Sequence, residues 1–171
     1  MIDPVTKEDS LWNLIVSQTS DKDFIRVTQQ TQHSKIGGRS IARYLANQFD
    51  RGNSYDRTFR TALRVQGTSM EKDFFPELMQ QLNAYSLKNM GKLPSSFTEK
   101  KLGDLYLRLK LSEAELSSAM SELLLFTLNK KQMHEQIVDF STRSSQASTN
   151  EINKYYLAES LLQGNLRNKT Y

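Results

Sequence analysis

Leucine outnumbers valine and isoleucine together by 22 to 12 in this chain, and glycine plus proline total only 10 of 171 residues. Leu keeps its rotamers inside a helix, whereas β-branched residues lose χ1 freedom there and Gly and Pro weaken or break the backbone ladder. Alternation of apolar and polar residues is weak throughout, and no Asn-Gly or Asp-Gly pair marks a tight hairpin. The expected fold class is therefore all-α, with about eight helices.

Capping and breaking residues place those helices. A first spans about residues 8–18 with Leu11, Leu14 and Ile15 on one face, and Ser20-Asp21-Lys22-Asp23 opens a second carrying Phe24 and Val27. Gly37-Gly38 ends it, and Ser40 is the expected cap of a third bearing Ile41, Tyr44, Leu45 and Phe49. Gly52 and Asn53 separate that segment from a fourth over about residues 54–66. Pro76 suits the first turn of a fifth, with Leu78, Met79, Leu82 and Tyr85 inward and Gly91 as its stop. Ser96-Phe97-Thr98-Glu99 and Ser112-Glu113-Ala114-Glu115 read as capping boxes heading two Leu-rich helices, the second breakable near Asn129. Residues 141–150 read as a polar loop before a last helix, capped by Ser148-Thr149-Asn150-Glu151 and closed by Gly164.

The length suits one domain or two small ones sharing a core. The loop-like run at residues 91–96 divides the chain into helical subdomains over 1–92 and 93–171. Fifteen of the 22 leucines follow residue 92, while seven of the ten arginines fall within residues 26–64. The second subdomain is thus expected to be mostly core, with a self-association face, and the first to meet a charged partner.

The charge pattern names that partner's chemistry. Residues 26–66 carry eight basic side chains against Asp50 and Asp56, whereas residues 1–25 carry five acids against two lysines. At 100° per residue, Arg57, Arg60 and Arg64 share an arc of about 60°, with Tyr55, Phe59, Ala62, Leu63 and Gln66 opposite. Arg39 and Arg43 repeat the arrangement on the preceding segment, about 40° apart and across from Ile41, Tyr44 and Leu45. Arginine suits phosphate because its planar fork bonds two oxygens and it is weakly hydrated. Arg39, Arg43, Arg57, Arg60 and Arg64 are the expected backbone-binding residues, with Lys35 and Arg51 in support. The glycine pair beside Lys35 and Arg39 adds a candidate phosphate cradle, although the spacing is not that of a P-loop.

No recognition-helix, RNP or KH pattern is present, so the expected binding is sequence-independent and directed at the phosphate backbone, to RNA in preference to DNA. Five to seven cations on a monomer bind weakly at physiological salt, which favours a homo-oligomer that coats or sequesters RNA, by analogy with small viral proteins. The alternative is a helical adaptor or chaperone docking an acidic protein partner. An enzyme is the third reading, and it needs a deep polar pocket holding His33 or His134 beside a carboxylate. The absence of cysteine removes disulfides, thiolate catalysis and Cys-based metal sites, and the two histidines stand outside any HExxH pattern. No catalytic residue, cofactor or metal is expected. The longest apolar run, Leu123-Leu124-Leu125-Phe126, is far too short for a membrane span, and the Met1-Ile2-Asp3-Pro4 start lacks the basic residues of a signal peptide. The expectation is an intracellular, cytoplasmic protein with no membrane partner.

Overall fold

The computed structural model describes residues 37–144 and 151–169; the two segments expected before residue 32, Lys35 and the Ser148 cap lie outside them. The described chain is all-helical, with seven helices and no strand: α1 (Gly38–Asn47), α2 (Ser54–Val65), α3 (Glu71–Lys88), α4 (Glu99–Leu111), α5 (Ser118–Lys130), α6 (His134–Arg143) and α7 (Glu151–Lys169). None is long and apolar enough to cross a membrane. The chain forms two compact units. One runs to Met90 and takes in Pro94–Ser96; the other comprises Gly91–Leu93 and the described residues from Phe97 onward.

In the first unit α1 and α3 lie side by side. Gly38 meets Met70 and Phe74, Arg43 bonds Glu77, and Phe49 and Asp50 both reach Tyr85. The partner number rises with the residue number, so the two helices are parallel. A parallel pair needs a return path, and α2 supplies it with 12 residues, about 18 Å at 1.5 Å per residue. The close approach is at Gly38. A Cβ there would stand 2.6 Å from the Met70 carbonyl oxygen and 2.8 Å from the Phe74 nitrogen. Gly38 is therefore the first residue of a packed helix, and the helix cap is Gly37, not Ser40, which is buried within α1.

The core of this unit is Ile41, Leu45, Phe59, Phe74, Leu78 and Leu82. The inward face of α2 is rotated from the expected one. Thr58 and Thr61 are buried and Leu63 only half-buried, so small and β-branched side chains, with Ala62, form its contact. Asn53 does not cap α2 through its side chain. Instead Ser96 Oγ accepts the Tyr55 backbone N–H at 3.0 Å, across 41 residues of sequence. Ser96 is thus the cap of another helix, while α4 is capped by Thr98, whose Oγ1 accepts from the Lys101 N–H.

Four further boundaries differ from expectation. Helix α3 begins at Glu71, with Glu71 and Asp73 in its first turn favoured by the helix dipole, and Pro76 lies inside it on the exposed side, where it removes one helical N–H donor. Helix α5 begins after Ser117, which accepts the Met120 N–H, and Ser112 ends α4 instead of starting α5. Residues 141–143 complete α6, and Gly164 lies within α7.

The second unit is built around α5, of whose 13 residues eight are buried. A helix apolar on every side belongs in the middle. Helices α6 and α7 pack on it and on each other, and α4 joins through Tyr106, whose ring stands edge-on to Phe140 at 6.3 Å. Asn153 of α7 is fully buried, and neither amide atom has a hydrogen-bond partner among the described residues.

Two stability predictions follow from this packing. Gly38→Ala should destabilise the protein by about 1–3 kcal/mol because backbone must shift, whereas Gly37→Ala, with open space around its Cβ, should be near neutral; urea unfolding of both separates them. Asn153→Leu, with the same branching at Cγ, removes an unsatisfied buried amide and should raise stability by about 1–3 kcal/mol, read as a higher thermal midpoint.

Candidate nucleic-acid interface

Helix α1 is buried over most of its circumference, leaving one open strip that contains Arg39 and Arg43. On α2, Arg60 and Arg64 occupy the centre of the exposed face and Arg57 its edge. Arg60 and Arg64 are one turn apart, about 6 Å along the axis. Arg51 is exposed in the turn between the two helices. Because α2 runs back along α1, Arg39 in the first turn of α1 and Arg64 in the last turn of α2 stand at the same end of the unit.

The arginines are not equivalent. Arg43 Nε donates to Glu77 Oε1 at 3.0 Å, and the Glu77 side chain is only 12% exposed. Arg57 Nη1 donates to Tyr44 Oη at 3.3 Å, which holds that side chain in the seam between α2 and α1. Arg39, Arg51, Arg60 and Arg64 make no side-chain ion pair or hydrogen bond to the described residues. Asp50 accepts instead from the Tyr85 hydroxyl at 3.0 Å, and Asp56 sits in the first turn of α2. Burial, together with the hydrogen bond and charge of Asp50, raises the Tyr85 phenol above its ordinary value.

One carboxylate that takes an arginine of this stretch is Glu77, 34 residues from Arg43, and no local pattern exposes that pairing. Glu71 and Asp73 lie at the same end as Arg39 and Arg64, so that end is mixed in charge and the outer side of α2 is the cleaner cationic surface. The glycine pair is explained by close packing at Gly38. Tyr44 and Tyr55 are 3% and 5% exposed and serve the core, Tyr55 against Phe59 at 4.9 Å between ring centres.

The second unit holds two clefts that the sequence did not single out. In one, of about 480 Å³, an apolar floor including Leu116, Leu124 and Phe140 is edged by Lys110 and Arg143. Asp139 organises that edge, accepting from the Tyr106 hydroxyl, from Lys110 Nζ at 3.3 Å and from Arg143 Nε at 3.4 Å. The other, of about 300 Å³, is polar and lined by His134, Glu159, Asn129 and Gln132 among others. There His134 Nδ1 shares a 3.0 Å hydrogen bond with Ser160 Oγ, which is 1% exposed, and Glu159 accepts from Asn129 Nδ2. Each cleft also meets a non-glycine residue in left-handed backbone, Glu113 and Gln132, which end α4 and α5 by returning N–H bonds from the following residue to Leu109 and Leu128. Among the described residues no three His, Asp or Glu side chains converge on a metal-binding point.

Compared with models of known protein families, with curated proteins and with solved structures, the chain matches none.

Burial raises the Glu122 carboxyl, and burial first, then the charges of Glu122, Tyr155 and Glu159, pushes the Tyr156 phenol up to about 12. The unfolded chain gives up the Tyr156 proton near 10, before the folded one does, so stability should fall as pH rises from 10 towards 12. Alkaline unfolding should show that loss, and Tyr156→Phe should lessen it.

Proposed function

We propose that the protein binds nucleic acid through its phosphate backbone, without sequence preference and with RNA favoured over DNA. The observation that carries this reading is the outer face of α2, where Arg60 and Arg64 stand exposed one turn apart with no carboxylate paired to either among the described residues. Arg39 and Arg51 extend that surface, Lys35 belongs to the same basic stretch of sequence, and Arg57 and Arg43 are its restrained members. Exposed guanidinium groups lose little hydration on meeting phosphate and release counterions from the strand, the main source of sequence-independent affinity. The absence of a recognition-helix pattern in the sequence and the core role of Tyr44 and Tyr55 both favour backbone contact over base readout. A coating or sequestering role, with several copies along one strand, suits a monomer of so few cations.

Docking of an acidic protein segment is the second reading, and the Arg43–Glu77 pair favours it by showing that this surface accepts a carboxylate.

Fluorescence anisotropy with short single- and double-stranded RNA and DNA, between about 50 and 200 mM salt, tests the proposal. Binding should weaken steeply with salt, and Arg60→Ala and Arg64→Ala should each lower the salt slope by about 0.7–0.9. Arg43→Ala should matter least. Glu77→Gln should tighten binding, because it removes a negative charge beside Arg43. A folded protein that binds none of these strands at the lowest salt would overturn the reading and turn attention to acidic protein partners.

A further inference from the structure

The chain has no cysteine and six methionines, so all its sulfur chemistry rests on thioethers. The described methionines differ widely in access. Met120 is 0% and Met70 6% exposed, Met79 and Met133 are half-buried, and Met90 is 92% exposed. Met90 follows Asn89, the C-cap of α3, and its backbone is left-handed, with φ 58°. Glycine ordinarily takes such a place after a helix, because a Cβ crowds the carbonyl there. Gly91, with φ 81°, stands next to it. A side chain with so little covered surface returns almost no packing. Neither conformation nor burial therefore calls for methionine at position 90, and the property left is the thioether itself.

We propose that Met90 is a site of reversible oxidation by hydroperoxides, converted to the sulfoxide while the fold is kept. With hydrogen peroxide, a sulfur lone pair attacks one oxygen, the O–O bond breaks and an S–O bond forms. The proton on the transferred oxygen passes to the departing hydroxide, which leaves as water. Sulfur gives up two electrons and the peroxide takes them. The oxidant has to reach sulfur, and water has to solvate the departing hydroxide. An exposed side chain meets both conditions, and burial denies them to Met70 and Met120.

Sulfoxide formation turns a flexible apolar group into a polar one. In a core that change disrupts packing, but Met90 has little packing to lose. What changes is the surface at the end of α3, where Leu87 is 79% exposed as well. Oxidation makes the Met90 part of that apolar surface polar. Reversal takes two electrons from a dithiol, which becomes a disulfide as the oxygen leaves in water. The chain has no thiol of its own, so the dithiol comes from outside it.

Hydrogen peroxide added to the folded chain, followed by peptide mass mapping over time, tests the assignment with nucleic acid absent. Met90 should gain one oxygen at least about fivefold faster than Met70, Met79, Met120 or Met133, and in denaturant the five rates should converge. Protein oxidised at Met90 alone should keep its thermal midpoint. Met90→Leu should lower the early uptake of oxygen, and a methionine sulfoxide reductase with dithiothreitol should restore the original mass. Oxidation of Met79 or Met133 as fast as Met90, or a Met90 preference that persists in denaturant, would overturn the proposal. So would a lowered thermal midpoint after oxidation at Met90, or a Met90 oxygen that the reductase leaves in place. The phosphate-binding proposal is read by a different experiment on different residues, so either can fail without the other.

Discussion

The first unit depends on the contact of two backbones at Gly38. A parallel pair of short helices has no tight turn to fix its register, and here the register comes from a position where only a missing Cβ lets α1 seat against Met70 and Phe74. From that point the rest of the seam follows, with Glu77 within reach of Arg43 and Tyr85 within reach of Phe49 and Asp50. Helix α2 must then return over the pair, and this return gives it one face on the core and one on water.

Polar side chains act at long sequence range in this unit. Ser96 satisfies a backbone N–H at the start of α2, Glu77 restrains Arg43, and Tyr44 restrains Arg57. Each contact fixes an end or an edge and leaves the middle of the α2 outer face unengaged. The division of the arginines into held and open groups therefore comes from the packing geometry. Arg60 and Arg64 are open because they project opposite the seam.

The second unit follows a different rule. Its central helix has little polar surface, so the surrounding helices are positioned by apolar contact, and their ends are finished by Thr98, Ser117 and two left-handed residues. Helix α7 departs from this pattern, burying Asn153 and Ser160 while leaving leucines in water. A helix with that distribution has more apolar area than its own unit covers. The same basic and leucine-rich halves evident in composition thus reappear as a cationic face in one unit and an uncovered apolar face in the other.

Composition and periodicity determined the all-helical class, the positions of most helices, the interior roles of Ile41, Leu45, Phe59, Leu78 and Leu82, and the shared face of Arg57, Arg60 and Arg64. These are local properties: rotamer entropy, i, i+3 and i+4 spacing and the stops at Gly52 and Gly91 act within a turn or two of the chain. Helix starts were less legible, because Ser40, Ser96 and Ser112 match the capping pattern equally well wherever they stand, and only the tertiary neighbourhood assigns each its acceptor role. The rotation of α2 that buries Thr58 and Thr61 and half-exposes Leu63 depends on how closely α1 and α3 approach. The restraint of Arg43 by Glu77, the polar cleft at His134 and Glu159, and the outward leucines of α7 join residues tens of positions apart or depend on what does not cover them. Sequence determined which residues share a helix face; tertiary structure decided which of those faces are met by another helix, because that is set by the distance between backbones and no single helix contains it.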